Sequence, residues 1–203
     1  MKICMQIVVA LFLITTSLAS GVTAALVLMS PPGMAQGTSS VAPRSSQYVK
    51  GSLCTQPDQV VFSCPLTKNG KIVSVCAVGN ASPHQFYYAS GRPDAVEMRY
   101  PESTSELSSG FSHSYLGYSG GTAGYAYSFV RNEMKYIVYY LSGKYKYTNG
   151  GVIVLKSGGV NALADMECSK GKIDVISNRS MFDETSKWKR DDDLKVHGLP
   201  LTK

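Results

Sequence analysis

The sequence lacks the patterns that identify the common metal-binding and nucleic-acid-binding proteins. It has no C-x-x-C pair, and its three histidines, His84, His113 and His197, stand apart from one another. Since zinc sites need several such ligands at short spacing, the sequence predicts no metal site, and it indicates no cofactor. The 20 Lys and Arg exceed the 14 Asp and Glu, for a net charge of +6, but they are scattered along the chain. Without a basic stripe, nucleic acid is not an expected partner.

Helical periodicity with capping residues is also absent, whereas runs rich in Val, Ile, Phe and Tyr recur between polar turns. The clearest lies in Gln59 to Val78, where two such runs flank Asn69-Gly70. Asn-Gly tolerates the positive φ of a two-residue hairpin turn, so this stretch predicts two antiparallel strands. Three more hairpins are predicted around 91–94, 131–133 and 157–159. Eight or nine short strands favour an all-β fold, an antiparallel β-sandwich or a small barrel.

The N-terminal region is a long uncharged stretch. No residue from Ile7 to Met29 is charged, Lys2 precedes the stretch, and Pro31 and Pro32 follow it. This pattern predicts a signal peptide over residues 1–35, with no membrane span once it is cleaved. A retained membrane anchor is the alternative, because about 20 apolar residues can span a bilayer. Both interpretations place the protein outside the cytoplasm, and the expected location is periplasmic or secreted.

Removal of the leader would remove Cys4 and leave four cysteines. An even set in an exported protein predicts two disulfides, for which three pairings exist. A two-residue turn at Asn69-Gly70 places Cys64 opposite Val75 and Cys76 opposite Ser63, so Cys64 and Cys76 point to opposite faces and cannot easily pair. Cys168 ends a predicted strand and shares its small, apolar face, which suits the core, with Ala162, Ala164 and Met166. We therefore expect Cys64 to bond Cys168, and Cys54 to bond Cys76.

The remaining divisions follow composition. Residues 36–52 are rich in Ser, Gly and Pro and predict a flexible linker. The antiparallel β-domain is expected over residues 53–177, and residues 178–203 are expected to form a charged tail whose Met181, Phe182 and Trp188 could dock onto it. Within the domain, the Ser- and Gly-rich segment 101–124 predicts a long loop or a pair of short edge strands.

The spacing of several short motifs resembles a group of uncharacterised exported bacterial proteins. The motifs are VFSC at residues 61–64, Gly70-Lys71 followed by VSVC at 73–76, Gly91-Arg92-Pro93 with Glu97, and Tyr100-Pro101. The likeness continues to Cys168, and the sequence departs from the group at Met166 and in a longer Ser-rich loop. The resemblance implies an exported, disulfide-bonded β-protein, and it implies no functional site.

Two stretches bear on catalysis. Gly117 to Gly121 matches G-x-S-x-G, yet the residues after Ser119 favour a strand, whereas a nucleophilic serine of this type precedes a helix. Asp165 and Glu167 share one strand face, as a carboxylate pair of a glycosidase could, but an exposed strand face explains them equally simply. The sequence therefore favours a protein that is not an enzyme.

The densest unusual feature is a run of tyrosines interleaved with lysines between Tyr125 and Tyr147. Those proposed to bind a partner are Tyr139, Lys144, Tyr145, Lys146 and Tyr147, together with the loop from Ser103 to Gly121. Tyrosine suits both strands and interfaces, so part of the run is expected in the core. The preferred function is a non-catalytic exported binding protein whose partner is a protein or glycan of the envelope or of a host. In one version of this hypothesis the protein acts like an inhibitor. A structural envelope protein, or a serine or carboxylate hydrolase, is the alternative.

Overall fold

The computed structural model describes residues 47–103 and 110–200. The predicted leader, residues 1–35, lies outside the described residues, as does most of the predicted linker. The strands in the described part are β1 (Gln59–Pro65), β2 (Ile72–Ala77), β3 (Phe86–Arg92), β4 (Ala95–Tyr100), β5 (Ser112–Tyr118), β6 (Thr122–Arg131), β7 (Met134–Ser142), β8 (Thr148–Lys156), β9 (Ala162–Glu167), β10 (Asp174–Val175) and β11 (Lys189–Arg190). The helices are α1 (Arg179–Thr185) and α2 (Asp192–His197), and neither is long and apolar enough to cross a membrane.

The strands form two sheets, as an all-β sandwich requires. The first sheet has the order β10-β1-β2-β3-β4 and the second has the order β11-β5-β6-β7-β8-β9. Pairing is antiparallel except between β11 and β5, which are parallel. The four predicted hairpins are β1–β2, β3–β4, β6–β7 and β8–β9, and the Ser-rich segment contributes β5 as a further strand.

An aromatic core fills the space between the two sheets. Tyr88 of the first sheet and Phe129 of the second have ring centroids 5.1 Å apart. Phe129 in turn stacks on Tyr136 at 5.0 Å, and Tyr100 lies 4.3 Å from Phe129. Since such rings bury large apolar areas, this cluster accounts for the tyrosines that the sequence places on the inner faces of the strands.

The first hairpin differs from its predicted register. Cys64 lies opposite Val73 rather than Val75, and four residues, 67–70, form the loop in place of the two-residue turn. The physical reason is that the chain directly after β1 pairs with the end of β9 before it turns into β2. Leu66 pairs with Cys168, and the Thr67 N–H donates to the Glu167 carbonyl at 2.9 Å. From Phe62 to Pro65 the register moves by two residues, and because side chains alternate with period two, Ser63 and Cys64 keep their predicted faces. A β-bulge between Val60 and Phe62 interrupts this alternation, so Val60 packs on the face that carries Cys76.

Two disulfides join the pairs that face assignment predicts. Cys54 bonds Cys76, with Cα atoms 5.4 Å apart, and Cys64 bonds Cys168, with Cα atoms 5.6 Å apart. The second crosslink spans 104 residues and ties β1 of the first sheet to the end of β9 in the second. This corner, where the sheets are linked covalently and by hydrogen bonds, becomes one wall of the site described below.

The folded domain extends beyond the predicted limits of 53 and 177. Tyr48 pairs with Thr55, and Ser52 is buried, so residues 47–52 belong to the domain rather than to a linker. At the other end, Met181 of α1 and Leu194 of α2 are buried, and Trp188 packs against Phe86 at 4.8 Å. The predicted charged tail is therefore a docked part of the fold over residues 178–200. Helices of seven and six residues are too short to show clear periodicity.

Candidate functional site

The outer face of the second sheet, turned away from the first sheet, carries its own apolar cluster. Leu194 of α2 is part of the cluster, and Leu199 packs against it, so α2 and the residues after it cover this face. The cluster contains Leu116, Ala126, Ile137, Tyr139, Leu141, Ile153, Leu155 and Leu194. The face of β7 that is turned away from the first sheet is therefore covered rather than open to solvent.

Tyr139 belongs to this covered face. It is only 3% exposed, whereas Tyr136 and Tyr140 of the same strand point to the core between the sheets. Burial and the nearby carboxylates of Asp165 and Glu167 raise the pKa of Tyr139. Tyr139 therefore cannot be a surface contact residue as predicted, although its hydroxyl lies beside ionisable groups at the edge of the cluster.

The four other predicted binding residues form the turn between β7 and β8, here called the Lys144–Tyr147 turn. Lys144 and Lys146 are exposed, Tyr147 is 47% exposed and Tyr145 is 100% exposed. Two backbone hydrogen bonds close the turn: the Gly143 N–H donates to the Tyr147 carbonyl at 2.9 Å, and the Tyr147 N–H donates to the Lys144 carbonyl at 3.1 Å. The turn thus presents one tyrosine and two cations to solvent on a fixed backbone.

The backbone of this turn is in a conformation that its residues disfavour. Tyr145 has φ 58° and ψ 32°, and Lys146 has φ 60°. Positive φ at both central residues is the geometry of a type I′ hairpin turn, which strongly favours Asn-Gly. A left-handed conformation costs about 1 kcal/mol or more for a residue with a Cβ atom. The chain therefore holds Tyr and Lys where turn formation alone would select Asn and Gly.

A cleft lies beside Tyr139, between the β1–β2 loop of the first sheet and β9 of the second. Its volume is about 540 Å³, and its lining residues are Thr67, Lys68, Ala162, Leu163, Ala164, Asp165 and Glu167. We call it the Asp165 cleft. Leu163, 67% exposed, contributes an apolar wall, while Asp165 and Glu167 contribute carboxylates. The covalent corner at Cys64–Cys168 holds Lys68 near these carboxylates.

Asp165 is incompletely satisfied at this position. Its Oδ1 atom is buried and has no hydrogen-bond partner among the described residues. Burial and the neighbouring Glu167 carboxylate raise the pKa of Asp165, while Lys68 and the Tyr139 hydroxyl act in the opposite direction. Tyr147 also contributes to the raised pKa of Tyr139, so the Lys144–Tyr147 turn and the Asp165 cleft are neighbours through Tyr139.

A second aspartate, Asp191, has hydrogen-bond donors to both of its carboxylate oxygens. The sequence analysis did not identify this residue. The Ser128 hydroxyl donates to one of its carboxylate oxygens, and the Lys135 ammonium donates to the other at 2.8 Å. Asp191 also caps α2 by accepting from the Leu194 N–H. Although burial acts to raise its pKa, the bonds from Lys135 and Ser128 lower it. The only sequence signal was an Asp run ahead of Leu194, which is typical of a helix N-terminus.

A third polar cluster docks α1. The His84 ring Nδ1 and the Ser82 hydroxyl both bond the Glu184 carboxylate, at 3.1 Å and 2.5 Å, and His84 Nε2 lies 3.1 Å from the Gln59 amide nitrogen. Both ring nitrogens are thus engaged, and Ser82 bonds the carboxylate rather than the imidazole. A nucleophilic serine of the Ser–His type is hydrogen-bonded to its imidazole base, whereas here Ser82 and His84 both bond the Glu184 carboxylate of α1.

A strand follows Ser119, as the sequence predicts. Ser119 lies between β5 and β6, followed by Gly120 and Gly121 with φ 86° and 85°. A strand follows this turn, whereas a nucleophile elbow leads into a helix. Of the predicted loop surface from Ser103 to Gly121, residues 104–109 lie outside the described residues, and most of the remainder forms β5.

No group of three or more His, Cys, Asp or Glu side chains within residues 47–103 and 110–200 is placed to hold a metal ion. Comparison with protein-family models, with curated proteins and with solved structures finds no match to this chain. The functional assignment therefore depends on the geometry of its own residues.

Proposed function

We propose that this chain is an exported, non-catalytic binding protein that contacts its partner through the Lys144–Tyr147 turn. The partner, a protein or glycan of the envelope or of a host, presents acidic or polar groups to Lys144 and Lys146. Tyr145 at the tip enters a recess of the partner, as the inserting loop of an inhibitor does. The two disulfides of the domain are typical of extracytoplasmic proteins and support export to the periplasm or beyond.

One observation carries this proposal: Tyr145 and Lys146 occupy left-handed backbone positions while exposed. Residues held in sparsely populated conformations cluster at functional sites, because another requirement has to maintain them. Packing does not supply that requirement here, since Tyr145 is 100% exposed. Contact with a partner does, because a tyrosine on a rigid turn offers a large contact area at low conformational-entropy cost.

Partner capture from envelope and host extracts with the exported, disulfide-bonded protein tests the proposal. Three baits are compared in parallel: wild type, Tyr145→Ala and Tyr115→Ala. Tyr115 is the matched control, since it is also exposed, at 55%, but lies on β5. A specific partner is one captured by wild type and Tyr115→Ala and lost with Tyr145→Ala.

The captured partner is then titrated against each variant by calorimetry. Truncating a tyrosine central to an interface typically costs about 2 kcal/mol, roughly a 30-fold weaker affinity. Equal affinities for wild type and Tyr145→Ala would refute the proposed interface. The structural-protein alternative predicts that none of the three baits differs in what it captures.

A further inference from the structure

We propose that one end of the outer face of the second sheet binds an anionic oligosaccharide, with Tyr118 and Tyr147 stacking on its sugar rings and Lys144 contacting its negative charge. This surface adjoins the Lys144–Tyr147 turn but does not use Tyr145, the residue that carries the function proposed for that turn. The two proposals therefore fail separately.

Four residues form a row across this end of the sheet, here called the Tyr118–Tyr147 row: Tyr118, Thr122, Gly143 and Tyr147. Tyr118 of β5 pairs with Thr122 of β6. A Cβ atom at Gly143 would lie 3.0 Å from Thr122 Oγ1 and 3.5 Å from Tyr147 Cδ1, so those two side chains flank the bare backbone of Gly143. Tyr118 lies two residues after Leu116, a member of the outer apolar cluster, so the row is on the outer face.

Both tyrosines of the row are partly exposed and held in place. Tyr118 is 40% exposed and Tyr147 is 47% exposed. The Tyr118 hydroxyl accepts a hydrogen bond from the Leu199 N–H at 3.2 Å, and the Tyr147 ring lies against Gly143. The face of an aromatic ring carries partial negative charge and attracts the C–H bonds of a sugar ring. The two tyrosines are separated by three strand spacings, or about 14 Å, which suits a short oligosaccharide.

A lysine beside the row supplies positive charge. Lys144 lies along the β5–β6 turn, since a Cβ atom at Gly121, directly before Thr122, would be 3.4 Å from Lys144 Cε. Neither Lys144 nor Lys146 forms an ion pair with any residue that the structure describes. Two cations without a built-in partner favour a ligand that carries carboxylate or sulfate groups.

The composition of this end of the sheet favours a sugar over a protein surface. Within residues 117–123 and 142–148, every large apolar side chain that is exposed is a tyrosine. The centre of a protein interface is an apolar patch from which charged residues, lysine among them, are depleted. Tyrosine, threonine and lysine without a large aliphatic side chain instead match the hydroxyl groups and C–H faces of a sugar.

The test is an NMR titration of the ¹⁵N-labelled, disulfide-bonded protein with tetragalacturonic acid at constant ionic strength. Its methyl ester is the first matched probe, with the same sugar rings and no charge, and tetraglutamate is the second, with the charges and no rings. We expect saturable shifts of the amides of residues 117–123 and 142–148 with the acid, several-fold weaker binding of the ester, and no such shifts with tetraglutamate. A heparin tetrasaccharide distinguishes sulfate from carboxylate as the preferred anion.

Substitutions assign the binding to the row. Tyr118→Ala and Tyr147→Ala should each weaken binding of the acid about tenfold, the effect of losing one stacked ring. Lys144→Gln should weaken it several-fold and bring the affinities of the acid and its ester closer together. Tyr115→Ala is the matched control, because Tyr115 is also exposed on β5 but points to the opposite face, and it should leave binding unchanged. Tyr145→Ala should also leave it unchanged, which separates this site from the interface proposed for the turn.

Four results would overturn the proposal. Neither the acid nor the heparin tetrasaccharide could bind. Tetraglutamate could produce the same shifts as the acid, which would make the row a site for any anion. The ester could bind as tightly as the acid, which would leave Lys144 without a role. Tyr118→Ala and Tyr147→Ala could both bind the acid as tightly as wild type does.

Discussion

Asp165 and Asp191 are two partly buried carboxylates beside the second sheet, and their surroundings act in opposite directions. Asp191 receives donors from Ser128, Lys135 and Leu194, and its pKa is lowered. Asp165 has an unpaired buried oxygen and another carboxylate beside it, and its pKa is raised. A buried aspartate thus stabilises the fold where hydrogen-bond donors reach both of its oxygens, and it destabilises the fold where one oxygen has no donor.

The largest expected effect on stability comes from substitution of Asp191, whose carboxylate is fully hydrogen-bonded. Asp191→Ala removes the α2 cap and leaves Lys135, whose side chain is 12% exposed, without its nearest carboxylate. We expect a loss of about 3 kcal/mol or more in the free energy of unfolding, measured by urea denaturation. Arg190→Ala removes an exposed ion pair with Asp192 and serves as the control, with an expected change below about 1 kcal/mol. A loss for Asp191→Ala as small as that of the control would show that the network does not stabilise the fold.

The second effect is a gain of stability at the Lys144–Tyr147 turn. Tyr145→Asn with Lys146→Gly places the preferred residues at the two positive-φ positions. We expect the free energy of unfolding to rise by about 1 to 2 kcal/mol, because Asn and Gly relieve the left-handed strain. Thermal denaturation measures it, and Glu133→Gly in the β6–β7 turn, where Glu133 has φ 61°, is the matched comparison. If Tyr145 and Lys146 are retained for binding, the stabilised turn variant should also lose its partner.

The smallest expected effect on stability comes from substitution of Asp165. Asp165→Asn should leave stability unchanged or raise it by up to about 1 kcal/mol at pH 7, because the amide removes the charge and adds a donor. The sign follows from the raised pKa: the stabilising influence of Asp165 is complete below its unfolded pKa, about 3.9, and is lost as pH rises through the folded value. The gap between variant and wild type should therefore close on acidification.

Asp191 should show the reverse pH dependence. The pKa of Asp191 is lowered in the folded state. Its contribution to the stability of the fold is therefore present above the unfolded pKa of about 3.9 and is lost as pH falls through the pKa of the folded protein. Urea unfolding of wild type and Asp191→Asn across this range should show their difference shrinking at low pH. A pH dependence of the same sign at both aspartates would contradict the comparison.

Much of the fold follows from local sequence signals. Turn residues separated the strands of all four hairpins, and alternation assigned Cys64 and Cys76 to opposite faces even though the turn at Asn69-Gly70 was longer than predicted. That turn lengthened because Leu66 and Thr67 bond to β9, a partner about 100 residues away that local pattern cannot indicate. The same limit left α1 and α2 unpredicted as helices, although the sequence indicated that Met181 and Trp188 could dock this segment onto the domain, as they do.

The candidate site was predictable only in part. Exposure of Lys144 to Tyr147 followed from the polar turn that they form, but Tyr139 was assigned to the wrong environment because strand alternation cannot tell whether a second layer covers a face. α2 covers part of that face, and its six residues carry little periodicity, while Asp165, Glu167 and Tyr147 lie near Tyr139 itself. The unpaired oxygen of Asp165 depends on three-dimensional neighbours from two sheets, so no sequence pattern could indicate it.

The corner at Cys64–Cys168 makes the Asp165 cleft depend on a crosslink between distant parts of the chain. Thr67 and Lys68 line one side of the cleft shortly after Cys64, and Glu167 lines the other side directly before Cys168. The disulfide therefore joins the two sides across 104 positions of the chain. The geometry of the cleft should therefore respond to redox conditions, because reduction of one bond frees its two walls from each other except for hydrogen bonds such as that from the Thr67 N–H to the Glu167 carbonyl.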